Sequence, residues 1–564
     1  MKDSQAKLLF TNTINMRVRI RVRYLIVENL IRAFKAFPLT ILLLILLHFV
    51  LSRSINYRDP LHVMFVMTMV FPYLGVIFML LLNPLSPVKT HKKRAPRYLI
   101  LAEITIILAI GTWIFSIPFR SKALPVGYDT PMYVGTVDLL ISGKIPLLKF
   151  RRRMGYFIFL YLLARTLNID PITVGKLLQL QGVFLAISMY LYALTLMDHK
   201  TAFLSGIFAI VWNRTHRVTR DLHANTASLS LLYIFLAVLN IKLKKHIKIP
   251  LLIILLAAVA SLHEMPIVVL LCTLSAFYGY KLMRNKDRKV KIIGVILPSL
   301  PFILCTFASY TFSMDWGDLT RKWWPEISIF SNRFLYMNRP EYLCFLALLS
   351  IPRLLYVSGG PILLLYTLMS ILFSQNFYFG LHALPERFLV LIPLPILASI
   401  GYISLLECAF SLFQKMPKLG AAVKKELFVG FFIIIMLITL TPAFERAKLY
   451  MSRIRCYITN GEYEELLYLK HYISEKNLNI NQVLILFPHR GMEAWSTYLG
   501  GRGAIYSAED NIIDYFKERP ELKYIYLIVF YRIPEVSVKL DLVHYRVIYR
   551  GNHIRIYEIH LENE

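Results

Sequence analysis

Apolar residues recur in long blocks almost from end to end of this chain, broken by short basic loops and by one compact polar stretch, Gly127-Tyr128-Asp129-Thr130-Pro131-Met132-Tyr133. A hydrocarbon core of about 30 Å takes roughly 17 to 25 apolar helical residues to cross, and shorter runs can pack inside a bundle. On that measure about thirteen spans are expected. They fall near residues 37–52, 61–83, 98–117, 174–197, 201–213, 224–241, 249–262, 266–281, 292–313, 341–356, 360–373, 387–411 and 426–443. The runs at 201–213, 249–262 and 360–373 are short for the task.

After residue 443 the pattern changes. Glu462–Lys476 and Glu509–Arg519 read as helices, while Val483–Phe487, Tyr524–Tyr531, Val543–Tyr549 and Ile554–Ile559 carry the β-branched and aromatic content of strands. A tail of about 120 residues is long enough to bury its own core. The expected fold class is therefore an α-helical polytopic membrane protein with a folded outer loop and a C-terminal extracytoplasmic α/β domain. Its regions are a basic arm and three-span anchor (1–117), a first large extracytoplasmic loop with amphipathic helices (118–173), a transmembrane bundle (174–443) and the soluble tail (444–564). No internal repeat or low-complexity tract is evident.

Composition agrees, with 57% hydrophobic residues. Lys and Arg in short loops mark the cytoplasmic side. The arm carries Arg17, Arg19, Arg21, Arg23, Arg32 and Lys35, so the N-terminus is expected inside. Alternation then places inside the loops with Lys92–Arg94, Lys242–Lys245, Lys281–Lys291 and Lys415–Lys425, and outside the Asp129 segment and the whole tail. The net charge of +30 is dispersed between spans rather than gathered on one soluble face, which points to anionic membrane lipid and away from nucleic acid. No signal-peptide pattern is present, because the first apolar run begins late and no small-residue cleavage site follows it. Cys272, Cys305, Cys344 and Cys408 lie in apolar spans and Cys456 in the tail, so neither a disulfide framework nor a zinc site is expected.

The outer loop has local structure of its own. Thr130 suits a helix cap and Pro131 a first helical position, predicting a helix to about Ser142 that Gly143 ends. A second amphipathic helix is expected from Tyr156 to Leu167. Asp138 reads as part of a solvated face. Two readings stand for Asp129: a capping carboxylate, or a functional one that the positive helix end keeps ionised.

Together these pieces resemble the GT-C superfamily of membrane glycosyltransferases. The likeness rests on the outward Gly127–Tyr133 motif, its helix, Ser142-Gly143-Lys144-Ile145-Pro146 and the next amphipathic helix. Arg220-Asp221-Leu222-His223-Ala224-Asn225, Leu262-His263-Glu264-Met265-Pro266, Pro385-Glu386-Arg387-Phe388 and the tail pattern Tyr498-Leu499-Gly500-Gly501-Arg502 follow in order, over about residues 98–564. The resemblance implies inverting transfer of a sugar from a polyprenyl-phosphate or polyprenyl-diphosphate carrier to a glycan, lipid or protein acceptor on the outer face. Asp129 would act as base or position the acceptor, in some branches beside a divalent metal (Mg or Mn) that Asp129 and Glu264 would hold. Two features depart from the pattern. Two spans precede the loop, and Trp323-Trp324-Pro325 lacks the aspartate of the oligosaccharyltransferase Trp-Trp-Asp motif, which disfavours peptide N-glycosylation.

Chemistry supplies the remaining candidates. A carboxylate within reach of an acceptor hydroxyl takes its proton as the new bond forms, typically worth about 10²–10⁴-fold. The leaving lipid phosphate gains negative charge, which the planar, permanently charged arginine fork suits. Arg387, Arg220, Arg217 and Arg153, the last within the run Arg151-Arg152-Arg153, are the candidates. That run is alternatively an anchor to anionic headgroups. Tyr128, Tyr133, His263 and Glu264 are candidates for substrate or acceptor contact, with a polar interfacial pair as the other reading of His263 and Glu264. Asp315, Asp318 and Glu326 read as solvated loop charges. From a different class, a transporter or lipid flippase would suit the many spans, but such folds often show repeated halves, and none is seen here.

Overall fold

A computed structural model describes residues 66–82, 95–127, 129–146, 153–312, 339–374, 390–414, 421–454, 456–506, 519, 521–533 and 545–559. It is mostly helical, with one small sheet near the C-terminus. After a π turn at Val66–Val70, the helices are α1 (Phe71–Leu82), α2 (Arg97–Phe115), α3 (Thr130–Ile141), α4 (Met154–Leu167), α5 (Gln181–Leu196), α6 (His199–Val211), α7 (Asn213–Asp221) and α8 (His223–Asn240). There follow α9 (Lys245–Leu262), α10 (Glu264–Met283), α11 (Arg288–Ile296), α12 (Leu300–Phe312), α13 (Tyr342–Leu354), α14 (Gly360–Ser374), α15 (Leu394–Gln414) and α16 (Ala421–Ser452).

Among the described residues seven helices are long and apolar enough to cross a membrane, and five shorter apolar helices pack with them. The expected span at 37–52 lies outside the described residues. The run predicted at 174–197 starts earlier, with Pro171–Leu177 leading through a 3-10 turn into α5. That predicted at 292–313 is two helices, because Pro298 sits in a 3-10 turn, Leu297–Ser299, between α11 and α12. The run predicted at 426–443 lies within α16, a helix of 32 residues. At 1.5 Å per residue it is about 48 Å long, more than a hydrocarbon core is thick. Its last turns carry Glu445, Arg446, Lys448 and Tyr450, as a helix leaving hydrocarbon for water requires.

A single apolar core binds the bundle, drawing on α1, α2, α5, α6, α8, α10, α14 and α15. One buried carboxylate crosses it: Glu103 on α2 accepts from the Tyr190 hydroxyl at 2.9 Å and lies 2.7 Å from Nδ1 of His199. A buried charge is costly unless paired, and these bonds tie α2 to α5 and to the start of α6.

The tail begins with α17 (Asn460–Glu475), opened by a capping box in which Thr459 and Glu462 each bond the other's backbone N–H. Strands β1 (Val483–Phe487), β2 (Arg502–Ile505), β3 (Tyr524–Phe530), β4 (Tyr545–Arg550) and β5 (Ile554–Ile559) form a mixed sheet in the order β2-β1-β3-β5-β4. β2 and β3 run parallel to β1, while β5 is antiparallel to both β3 and β4. β1 is buried at every position, which explains its unbroken Val-Leu-Ile-Leu-Phe run. A helix α18 (Ser496–Leu499) precedes β2. The helix expected over 509–519 falls almost wholly outside the described residues.

Candidate functional site

Gly127 holds φ at +105°, and a Cβ there would stand 2.1 Å from the carbonyl oxygen of Arg220. Only glycine fits both demands, and the close approach seats the Asp129 segment against the end of α7. Asp129 occupies the cap position of α3 with helical dihedrals (φ −89°, ψ −11°), and its side chain makes no capping hydrogen bond. A capping side chain typically works from extended backbone, so this geometry favours the functional reading over a purely capping one. Thr130, expected as the cap, is instead the first helical residue. Its hydroxyl donates to the Val126 carbonyl at 2.7 Å and lies 2.8 Å from Nε2 of buried His223. With the hydroxyl proton committed to Val126, Nε2–H of His223 is the donor in that second contact.

Arg153 stands at the head of α4 in a left-handed conformation, φ 54°, unusual for a side chain with a Cβ. Its Nη1 donates to the Tyr133 hydroxyl at 3.1 Å. Burial lowers the Arg153 pKa, but the charges of Tyr133, Glu264 and Asp129 and the Tyr133 bond outweigh it, and the net shift is upward. Three separate elements thus bring Asp129, Tyr133, Arg153 and Glu264 into one electrostatic neighbourhood. The Tyr133 ring packs edge-on against Tyr156 at 5.2 Å and His223 at 5.6 Å.

His263 has a local task. Its Nδ1 accepts from the Met265 N–H at 3.2 Å, capping α10, so in the neutral ring the proton is on Nε2. The Glu264 carboxylate lies 3.6 Å from that same Nδ1, so the two residues stand as the polar pair the sequence allows, an ion pair when the ring is protonated. Tyr128, Arg151, Arg152, Arg387, Asp315, Asp318, Glu326 and Trp323-Trp324 lie outside the described residues.

Helix α7 reads Asn-Arg-Thr-His-Arg-Val-Thr-Arg-Asp, polar enough to pass for a loop, yet Arg214, Thr215, His216, Thr219 and Asp221 are all buried. Arg217 and Arg220 both pair with Asp221, the latter through Nε at 2.7 Å. A carboxylate therefore shares the charge of two of the four arginines singled out for phosphate, and Arg220 alone of this pair lines a cavity. That cavity, of about 350 Å³, is lined by Arg220, Arg339, Arg446, Arg453, His216 and Tyr450 among others. The Arg220 guanidinium sits 5.8 Å from the Tyr450 ring centre, and His216 stacks on the same ring at 5.6 Å. Burial depresses the His216 pKa to about 4, outweighing its hydrogen bond to the Ile210 carbonyl. At neutral pH the cavity's positive charge is thus arginine charge, offset in part by Glu341, which lies 3.0 Å from Arg339 and 3.7 Å from Arg446. Arg446 and Tyr450 stand four residues apart on α16 and Arg453 follows three further on, in the turn just past its end, a one-face spacing that was legible in the sequence. Arg339 carried no comparable signal.

Among the described residues no three His, Cys, Asp or Glu side chains are grouped to hold a metal ion. The cation shared by Asp129 and Glu264 is Arg153 itself.

No protein-family model and no curated protein sequence matches the chain. Solved structures do. An oligosaccharyltransferase from Archaeoglobus fulgidus in the apo form aligns with TM-score 0.54 and 10% identity over 77% of this chain and 70% of that one. AglB from the same organism, in complex with an inhibitory peptide and a dolichol-phosphate, aligns with TM-score 0.52 and 10% identity over 76% and 69%. ArnT from Cupriavidus metallidurans bound to undecaprenyl phosphate gives TM-score 0.47 and 12% identity over 82% and 98%. The chain shares the fold of these archaeal oligosaccharyltransferase structures, and among its described residues seven helices are long and apolar enough to cross a membrane.

Proposed function

We propose that the protein is an inverting glycosyltransferase that moves a hexosyl or pentosyl group from a polyprenyl-phosphate or polyprenyl-diphosphate carrier to a glycan, lipid or protein acceptor on the extracytoplasmic face. The observation that carries this reading is the double use of Arg220. Its carbonyl abuts Gly127 in the Asp129 segment, and its guanidinium lines the arginine-rich cavity. The Asp129 segment and a basic cavity with room for a phosphate group thereby both adjoin Arg220. AglB in complex with a dolichol-phosphate supplies a carrier lipid of the right class on the same fold.

In this reading the acceptor hydroxyl gives its proton to Asp129 while its oxygen bonds to the anomeric carbon. The bond from that carbon to the carrier oxygen breaks, and the phosphate leaves with the electron pair. Arg220, Arg339, Arg446 and Arg453 meet the growing charge, as fixed donors in a site of low dielectric do most effectively. Arg387, proposed from sequence, would add to them. Arg153 anchors the acceptor side by its bond to Tyr133 and its attraction to Asp129 and Glu264; Tyr128 and His263, proposed from sequence, would serve the acceptor.

The experiment is direct. Purified protein incubated with a panel of labelled polyprenyl-phosphate and polyprenyl-diphosphate sugars, with membrane extract as acceptor, releases free carrier and labelled product from one member. Lipid movement across vesicles with the glycosyl bond intact in every case would make a flippase the correct reading.

A further inference from the structure

The tail is built into the Asp129 segment rather than hung from the end of the bundle. Leu124 and Val134, each five residues from Asp129, are buried members of the tail's own core, together with Ile458, Leu466, Ile485 and Trp495. At Gly135 a Cβ would meet the Tyr498 backbone nitrogen at 2.3 Å and the Thr497 carbonyl carbon at 2.7 Å, so α3 and α18 touch backbone to backbone. One turn further along α3, Asp138 pairs with Nζ of Lys470 on α17 at 2.8 Å. The same ammonium lies 3.6 Å from the centre of the Tyr498 ring, and Lys144 reaches Ser474 on α17 at 3.2 Å. The bundle grips the segment from the other side, through Gly127 against Arg220 and Thr130 against His223.

From this arrangement we infer that the tail is a positioning element for the reaction, and that Lys470 and Asp138 are positioning residues that hold α3 so that Asp129 meets the acceptor. The inference rests on the function proposed above. Neither residue touches substrate. Lys470 acts by three routes at once: its ion pair with Asp138, its charge over Tyr498 and its place on α17, whose inner face forms the tail core. An isolated exposed pair is worth little, but one set beside a glycine contact without spare room fixes the angle of a helix whose cap residue does the chemistry. A misplacement of about 1 Å at a reacting group costs on the order of 10²-fold. This also explains Asp138, which on sequence alone looks like a solvated charge.

The test uses the full chain in lipid nanodiscs, with two readouts. Lys470→Glu sets like charges together at Asp138. Hydrogen exchange of the amides in 130–136 is expected to rise about tenfold while β1 keeps its protection. Transfer should lose about tenfold in kcat with donor KM changed by less than about twofold. The swap Asp138→Lys with Lys470→Glu should restore both, which a general loss of tail stability would not allow. Unchanged exchange in 130–136, a kcat that ignores that exchange, or a swap that rescues neither, overturns the inference. If the parent transfers from none of the donors, the proposed function falls and takes the catalytic role with it; the exchange readout still decides whether the tail holds the segment.

Discussion

Gly127 and Arg220 are in backbone contact: a Cβ on the first would lie 2.1 Å from the carbonyl oxygen of the second. This one contact couples the loop that carries Asp129 to the helix that carries the basic cavity.

Gly127→Ala is therefore expected to do more than strain its own dihedrals. The left-handed conformation costs a residue with a Cβ about 1–2 kcal/mol, and the collision with Arg220 pushes the loop off α7 as well. Gly143 is the control, since it also has positive φ, 71°, but a Cβ there would meet nothing within 4 Å. Gly143→Ala should lower thermal stability by about 1 kcal/mol with transfer nearly intact, whereas Gly127→Ala should lower both. Equal transfer by the two variants would sink the proposed coupling.

Asp129→Asn keeps size and removes charge and proton-accepting capacity. Asparagine fills the same volume at the cap position and ranks with aspartate there, so thermal stability should stay close to that of the parent. Transfer should fall by about 10²–10⁴-fold if the carboxylate is the base. Near-parental rates in a stable preparation would take Asp129 out of the chemistry and turn attention to Glu264.

Removing one cavity arginine should weaken the donor. A hydrogen bond to a charged group is worth about 1.5–3 kcal/mol, so Arg446→Ala should raise the dissociation constant for polyprenyl phosphate by roughly ten- to a hundredfold. Arg446→Lys should restore only part of this, since an ammonium lacks the planar fork. Titration of the lipid into nanodiscs measures it, and unaltered affinity in both Arg446→Ala and Arg220→Ala would place the phosphate elsewhere.

His216 makes stability depend on pH in a defined window. Its folded pKa is depressed to about 4 by burial, against about 6.5 for a free histidine. The unfolded chain then binds the extra proton between those values, so the contribution is complete above about pH 6.5 and is lost as pH falls toward 4. The melting temperature of the parent should drop over this interval, and His216→Gln should flatten that slope. An identical slope in the variant would show that other groups carry it.

The topology expected from the basic loops is open to a reporter test. Fusions after residue 288 should report the cytoplasm, and fusions after residue 460 the extracytoplasmic side. A cytoplasmic tail would reverse the orientation, and with it the face on which transfer is proposed.

What the sequence determined by itself is whatever depends on neighbours along the chain. Runs of apolar residues became helices near their expected bounds, because satisfying backbone hydrogen bonds in an apolar setting leaves a helix little competition. β1 and β5 fall on Val483–Phe487 and Ile554–Ile559 as read, since β-branched runs bounded by turns carry the signal locally. The Asp129 motif was likewise visible as a polar insert followed by a helix start. Tertiary structure decided the rest. α7 looked like a loop because burying so polar a helix makes sense only when the bundle supplies its surroundings. β2 (Arg502–Ile505) is four residues long with a glycine inside, and only its parallel partner β1 makes it a strand. That Thr130 enters α3 rather than capping it goes with the contact of its hydroxyl with His223, 93 residues away in sequence. The convergence of Arg220, Arg339 and Arg446 on one cavity, and the burial of Leu124 and Val134 in the tail's core, are set by packing between segments hundreds of residues apart, and no local pattern encodes a distance in space.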